Sequence, residues 1–229
     1  MRSSIIVALL ALGCSSASPG TEASPRSAPP ETQAELPRTR EHANPPDAQL
    51  GTLPDGVGIA VGQPAPVVTV RDLEGEELLL SSLWRDRRVL LFFYRGGWCP
   101  YCNFQIHQLA EAFSHFDERG VGLAAISVDR VQEATRTSAL WEIPFPVLSD
   151  QDLAAHDAFR VRNEVDAETL ERLRSMGMDL EESAGREHHV IAVPAIFLID
   201  QEGVVRWAHA DLDYRTRPSP AQVLGALPE

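Results

Sequence analysis

Two cysteines three residues apart, Cys99 and Cys102, stand where an apolar run ends. No other feature limits so strongly what this chain can fold into. The run, residues 88–95, reads "RVLLFFYR", with six apolar residues held between charges. It is short and does not alternate, as expected of a strand buried on both faces of a sheet. Beyond the cysteines, Phe104, Leu109, Ala112, Phe113 and Phe116 recur at helical spacing until Gly120 stops the pattern. Cys99 is then the N-cap of the helix. Pro100 is its first residue, where a missing N–H costs nothing. Cys102 follows one turn in. The free amides of a first turn and the helix dipole favour a thiolate, so the N-terminal cysteine should be acidified and be the better nucleophile. A second thiol one turn away is close enough to close a disulfide with it. The spacing therefore offers an attacking thiolate and a resolving thiol in one turn, and strand–CxxC–helix reads as redox chemistry.

Two blander readings compete. A permanent disulfide across three residues would close too short a loop to constrain the unfolded chain much. A zinc site would need two further ligands, for which His188 and His189 are the candidates. Adjacent histidines in an extended segment point opposite ways and lack the usual three-to-five residue spacing. His107, one turn past Cys102, reads as a helix-surface residue. The redox reading calls for no metal and no cofactor.

The remaining chain supplies an α/β pattern. Residues 67–70 and 78–80 are short apolar runs about the turn Glu74-Gly75, which suggests a hairpin, with Ser81 or Ser82 capping a short turn of helix. Residues 121–128, "VGLAAISV", form a second buried strand. A helix in "RVQEATRTSALWE" and a strand in "FPVLSD" follow. Residues 154–178 read as helical, with a polar Glu/Arg-rich stretch taken as an insertion. "PAIFLID" and "GVVRWAHA" are strands joined by the turn Gln201-Glu202-Gly203, and Ser219 caps a closing helix. Strands alternating with helices, then a hairpin and a last helix, predict a mixed sheet flanked by helices.

The first fifty residues read differently. A basic start and the apolar run 5–12 have the layout of a secretory signal, too short to span a bilayer. The "ALGC" that ends at Cys14 resembles the lipobox of bacterial lipoproteins, although Ala11 stands where leucine is more usual. On that resemblance residues 1–14 are a signal with Cys14 the lipidated residue, and the protein is lipid-anchored in the cell envelope. Residues 15–56, rich in Ser, Pro, Ala, Glu and Thr, bury too little to offset ordering and are expected to be a disordered tether. The folded domain is expected over 57–229. All 20 basic residues are arginine, which excludes a lysine nucleophile or Schiff base. The net charge of −13 argues against nucleic acid, and against membrane contact other than through the anchor.

From about residue 61 to 227 the chain resembles the thioredoxin superfamily, and within it the peroxiredoxin-like AhpC/TSA branch. "VGQPAP" looks like the opening segment of that branch, "FFYRGGWCPYC" fits its F-Y-P-x-x-x-T-x-x-C pattern without gaps, and "IFLIDQEGVV" resembles its late strand and turn. The resemblance implies a thioredoxin fold with an N-terminal hairpin, hydroperoxide reduction, and a thioredoxin-like electron donor. On the peroxiredoxin pattern Cys102 is the peroxidatic residue. On the thioredoxin pattern W-C-x-x-C, Cys99 attacks and Cys102 resolves. Val193-Pro194 resembles the thioredoxin cis-proline loop, or Pro194 simply starts a strand. The chain departs from the pattern at three places: Arg95 replaces the proline after F-Y, Cys99 the threonine, and Pro194 the late arginine. Arg95 either supplies a substitute positive charge or pairs with a surface carboxylate. Trp98 and Tyr101 either shield the pair and line a contact face or serve only in packing. A thiol–disulfide oxidoreductase acting on envelope proteins is the alternative activity, and a redox-inert domain is the third.

Overall fold

The structure, a computed structural model, describes residues 49–228. The signal with Cys14, and residues 15–48 of the expected tether, lie outside the described residues. Residues 49–56, placed in the tether by composition, instead pack on the domain. Leu53 and Leu50 rest on the two cores of the sheet, and Thr52 accepts a hydrogen bond from the Ala210 amide at 2.9 Å. Two leucines spaced among polar residues leave too faint a composition signal to mark that start.

In chain order the strands are β1 (Thr69–Arg71), β2 (Glu77–Leu79), β3 (Arg88–Phe93), β4 (Val121–Ser127), β5 (Val147–Ser149), β6 (Arg162–Glu164), β7 (Val190–Ala192), β8 (Ala195–Ile199) and β9 (Val205–Ala210). The helices are α1 (Pro100–Glu111), α2 (Phe113–Asp117), α3 (Val131–Leu140), α4 (Ala154–Ala158), α5 (Ala167–Ser175), α6 (Leu180–Ala184) and α7 (Pro220–Ala226). Seven strands form one mixed sheet in the order β2-β1-β5-β4-β3-β8-β9. β3, β4 and β5 run parallel, and β8 returns antiparallel to β3, with Leu91 between Ala124 and Phe197. β1 and β2 form the expected hairpin.

Central β3 is buried on both faces, as its unbroken apolar run requires. Because side chains alternate along a strand, Val89, Leu91 and Phe93 enter one core with Phe159, Phe197 and Trp84. Leu90, Phe92 and Tyr94 enter the other with Ile106 and Leu109 of α1, Phe116 of α2 and Val223 of α7. The cysteine pair belongs to this second core. Ser219 caps α7 in a full capping box with Gln222, which fixes where the last helix starts.

Three local expectations are corrected. The segment 154–178 is not one helix: α4 and α5 are separated by β6, which pairs with β7 in a small second sheet. All three residues of β6 are exposed, so no apolar alternation marks it, and its partner lies far along the chain. Neither Ser81 nor Ser82 caps the short 3-10 turn Leu80–Ser82; Leu79 holds that position, and the Ser82 hydroxyl donates back to its carbonyl at 2.8 Å. The helix after the cysteines breaks at Ala112, but the break shifts the phase too little to disturb the periodicity.

Candidate active site

The site sits where β3 ends and α1 begins. Cys99 has extended backbone (φ −88°, ψ 114°) and occupies the N-cap of α1, with Pro100 following as the first helical residue. The turn between strand and helix depends on two glycines. Gly96 has φ +147°, a conformation that L side chains rarely adopt. A Cβ on Gly97 would lie 2.0 Å from the Thr137 Oγ1. The turn is then held from two sides: the Gly97 amide donates to Asp129 Oδ2 at 2.8 Å, and Asn103 Nδ2 donates to the Gly97 carbonyl at 2.8 Å.

Both sulfurs are buried, and both are free thiols. The Arg95 amide donates to Cys102 Sγ at 3.4 Å, and the Arg95 guanidinium reaches Cys99 Sγ at 3.9 Å. A second guanidinium arrives from the loop between β9 and α7, where Arg217 Nη2 lies 3.5 Å from Cys102 Sγ. Among the described residues neither arginine forms a salt bridge with a carboxylate. Of the two readings of Arg95, the structure therefore has it facing the cysteine pair.

The two thiols are driven apart electrostatically. Burial pushes Cys99 up, but a hydrogen bond from Cys102 and then the charges of Arg95 and Arg217 outweigh it, lowering Cys99 to about 6. Burial pushes Cys102 well above the ordinary thiol value, and its hydrogen bond to Cys99 and the Cys99 charge push the same way. Near neutral pH the pair thus holds a thiolate at Cys99 and a thiol at Cys102. Asp129 stands behind the turn, fully buried, its carboxyl raised by burial from 3.8 to about 7.

The sequence-predicted residues mostly converge. Arg95, Trp98, Cys99, Pro100, Tyr101 and Cys102 share one turn. The Arg95 guanidinium carbon lies 5.1 Å from the Trp98 ring centroid, and Tyr101 packs edge-on against Tyr214 at 5.5 Å. Pro194 directly precedes β8 and lines a small cavity together with Gln105, His209 and Arg217. The zinc candidates lie elsewhere: His189 pairs with Glu181, and His188 Nδ1 accepts from the Val190 amide at 3.1 Å. His189 is also left-handed (φ +56°), so that segment is not extended as expected. No group of three or more His, Cys, Asp or Glu lies together as metal ligands would among the described residues. Half-exposed His107 pairs loosely with Glu111 at 3.8 Å.

Asp129, Tyr214 and Arg217 escaped the sequence reading. Arg217 is one of 20 dispersed arginines and reaches Cys102 across 115 residues. Only the fold supplies that neighbour. Position 194, where the resemblance expects an arginine, is proline, and the guanidinium at Cys102 comes from Arg217 instead.

A mixed sheet flanked by helices, with a CxxC pair at a strand–helix junction, defines a protein of the thioredoxin-like fold. The AhpC/TSA family model matches residues 61–208, and the chain belongs to that family. A Coxiella burnetii protein provisionally named peroxiredoxin bcp is 29% identical over 173 residues, covering 75% of this chain and 100% of that protein. The Bacillus subtilis thiol-disulfide oxidoreductase ResA is 31% identical over 104 residues, 45% of this chain and a little over half (57%) of ResA. Among solved structures, reduced Prx3 of Vibrio vulnificus in complex with hydrogen peroxide superposes with a TM-score of 0.60 at 18% identity, covering 74% of this chain and 99% of that one. That likeness is one of fold. The protein is an oxidoreductase, peroxiredoxin-like or thiol–disulfide oxidoreductase in kind.

Proposed function

We propose that the protein is a thiol-dependent hydroperoxide reductase in which Cys99 attacks and Cys102 resolves. The observation that carries the reading is the asymmetry of the pair. Cys99 is the acidified sulfur beside a guanidinium, while Cys102 keeps its proton one turn away. The Cys99 thiolate attacks the terminal oxygen of ROOH; the S–O bond forms as the O–O bond breaks, and RO⁻ takes a proton to leave as ROH. Arg95 lies where it can stabilise the charge developing on that oxygen. The Cys102 sulfur then attacks the Cys99 sulfenic acid; S–S forms, S–O breaks, and hydroxide leaves as water with the Cys102 proton. A dithiol donor of thioredoxin type restores the pair by exchange.

The burial of Cys99, at 1% exposure, favours a small hydroperoxide over a folded protein as the oxidant. The second reading, a thiol–disulfide oxidoreductase, rests on the same asymmetry and on the likeness to ResA. It would require a protein substrate to reach that sulfur. One experiment separates them. With one equivalent of hydrogen peroxide or an organic hydroperoxide, two thiols per chain should be lost within seconds. Thiols that stay titratable for many minutes, with insulin reduced by the enzyme and a dithiol, would move the assignment to the second reading.

We also propose that Cys14 is lipidated and that the domain works on an envelope membrane, attached by the segment that precedes residue 49. In an oxidising compartment a membrane-borne thiol relay, rather than a cytosolic donor, would have to reduce the pair. The mass of the mature N-terminus tests this. A chain beginning at Met1 in the soluble cytoplasmic fraction would defeat it.

A further inference from the structure

Arg95 is the chain's own departure from the family pattern, and its geometry raises the question of what holds it. Its side chain is 9% exposed, and among the described residues it has no carboxylate partner. A guanidinium so placed could swing toward water and leave Cys99. It is held instead against two rings. The guanidinium carbon stands 5.1 Å from the Trp98 ring centroid and only 3.9 Å from that of Tyr214. Tyr214 is itself set by Tyr101, edge-on at 5.5 Å, and by the folding of its own loop. In that loop the Thr216 amide donates to the Asp213 carbonyl at 3.0 Å, and Arg215 pairs with Asp213 at 2.8 Å. Tyr214 is 39% exposed while Arg95 is buried, and an aromatic face at this distance attracts a cation through the ring quadrupole.

We propose that Tyr214 is a positioning residue that acts through Arg95: its ring pins the guanidinium beside Cys99 and so keeps that sulfur ready to attack. The inference rests on the reading of Cys99 as the nucleophile. Tyr214 touches neither sulfur within hydrogen-bond reach; its effect passes through the cation it carries. Arg95 in turn reaches Cys99 at 3.9 Å. The groups that bear on the Cys99 charge are Arg95 before α1, Cys102 within α1, Arg217 in the loop after β9 and Asp129 after β4. Tyr214 should change only the first of these.

The test reads the rate at which a neutral alkylating agent modifies Cys99, followed by peptide mass, as a function of pH, in the intact reduced protein with Cys102 retained. The parent reports whether Cys99 forms a thiolate below the ordinary thiol range. If it does not, the reading of Cys99 fails and the role of Tyr214 falls with it. If it does, Tyr214→Leu should raise the midpoint by about one unit, which is roughly a tenfold slower reaction well below the midpoint. Tyr214→Phe, which keeps the aromatic face, should restore the parent profile. In an Arg95→Met background, Tyr214→Leu should add nothing, because the cation it positions is gone. Urea unfolding and circular dichroism of each variant separate loss of the site from loss of the fold. An unmoved midpoint in Tyr214→Leu, or an equal shift with and without Arg95, overturns the proposal while leaving the reading of Cys99 intact.

Discussion

Replacing Asp129 by asparagine should make the protein less sensitive to alkaline pH. Asp129 Oδ2 accepts from the Gly97 amide at 2.8 Å and from the Ser127 hydroxyl at 3.0 Å, while Oδ1 is buried without a partner. Burial raises the carboxyl from 3.8 to about 7, against the pull of those two hydrogen bonds; Glu133 and Cys99 push it further up. The folded state therefore prefers the proton. The stabilisation this gives is complete below the ordinary carboxylate value and is lost as pH rises through the folded one. A shift from 3.8 to about 7 corresponds to about 4 kcal/mol in total, of which roughly 2–3 kcal/mol falls between pH 5 and pH 8. Asparagine keeps an acceptor for Gly97 and cannot ionise. Urea unfolding of both proteins at pH 5 and pH 8 gives the comparison. Asp129→Asn should gain roughly 2–3 kcal/mol on the wild type between the two conditions. A stability difference that does not change with pH would refute the argument, because it would mean that Asp129 has the same proton occupancy folded and unfolded.

Gly97→Ala places a methyl 2.0 Å from Thr137 Oγ1 and should cost about 1–3 kcal/mol by thermal unfolding, with Thr137→Ala in the same chain recovering most of it. Arg217→Met removes a charge that favours the Cys99 thiolate, so alkylation at pH 6 should slow several-fold while the folded content by circular dichroism holds. Phe159→Ala opens the cluster with Phe93 and Phe197, whose rings lie 5.1 and 5.3 Å from it, and should cost about 3–5 kcal/mol in urea. It should leave the Cys99 midpoint unchanged, because Phe159 packs on the face of the sheet opposite the cysteines.

Wherever local chemistry decided the structure, the sequence was legible. The run from Val89 to Tyr94 suits a strand covered on both sides, and Cys99-Pro100 suits the opening of a helix, so the place of the cysteine pair and the fold class could be read directly, while the order in which the two sulfurs act could not. Ser219 marked the start of α7 for the same reason: its side chain satisfies the Gln222 amide three residues on. β6 stayed hidden because an exposed Arg-Asn-Glu strand carries no period, and its pairing with β7 is made across the fold. The electrostatics of the site were hidden in the same way. Helix position alone predicted an acidified Cys99, but the size of the effect depends on Arg217 from a loop 115 residues beyond Cys102 and on the burial that only packing creates. The sequence by itself determined where the two sulfurs sit, since a cap and a first turn are set by adjacent residues. Only the tertiary structure decided how their charges are tuned, because the guanidinium of Arg217, the ring of Tyr214 and the carboxyl of Asp129 come near the pair solely through the sheet order that joins β3, β4, β8 and β9.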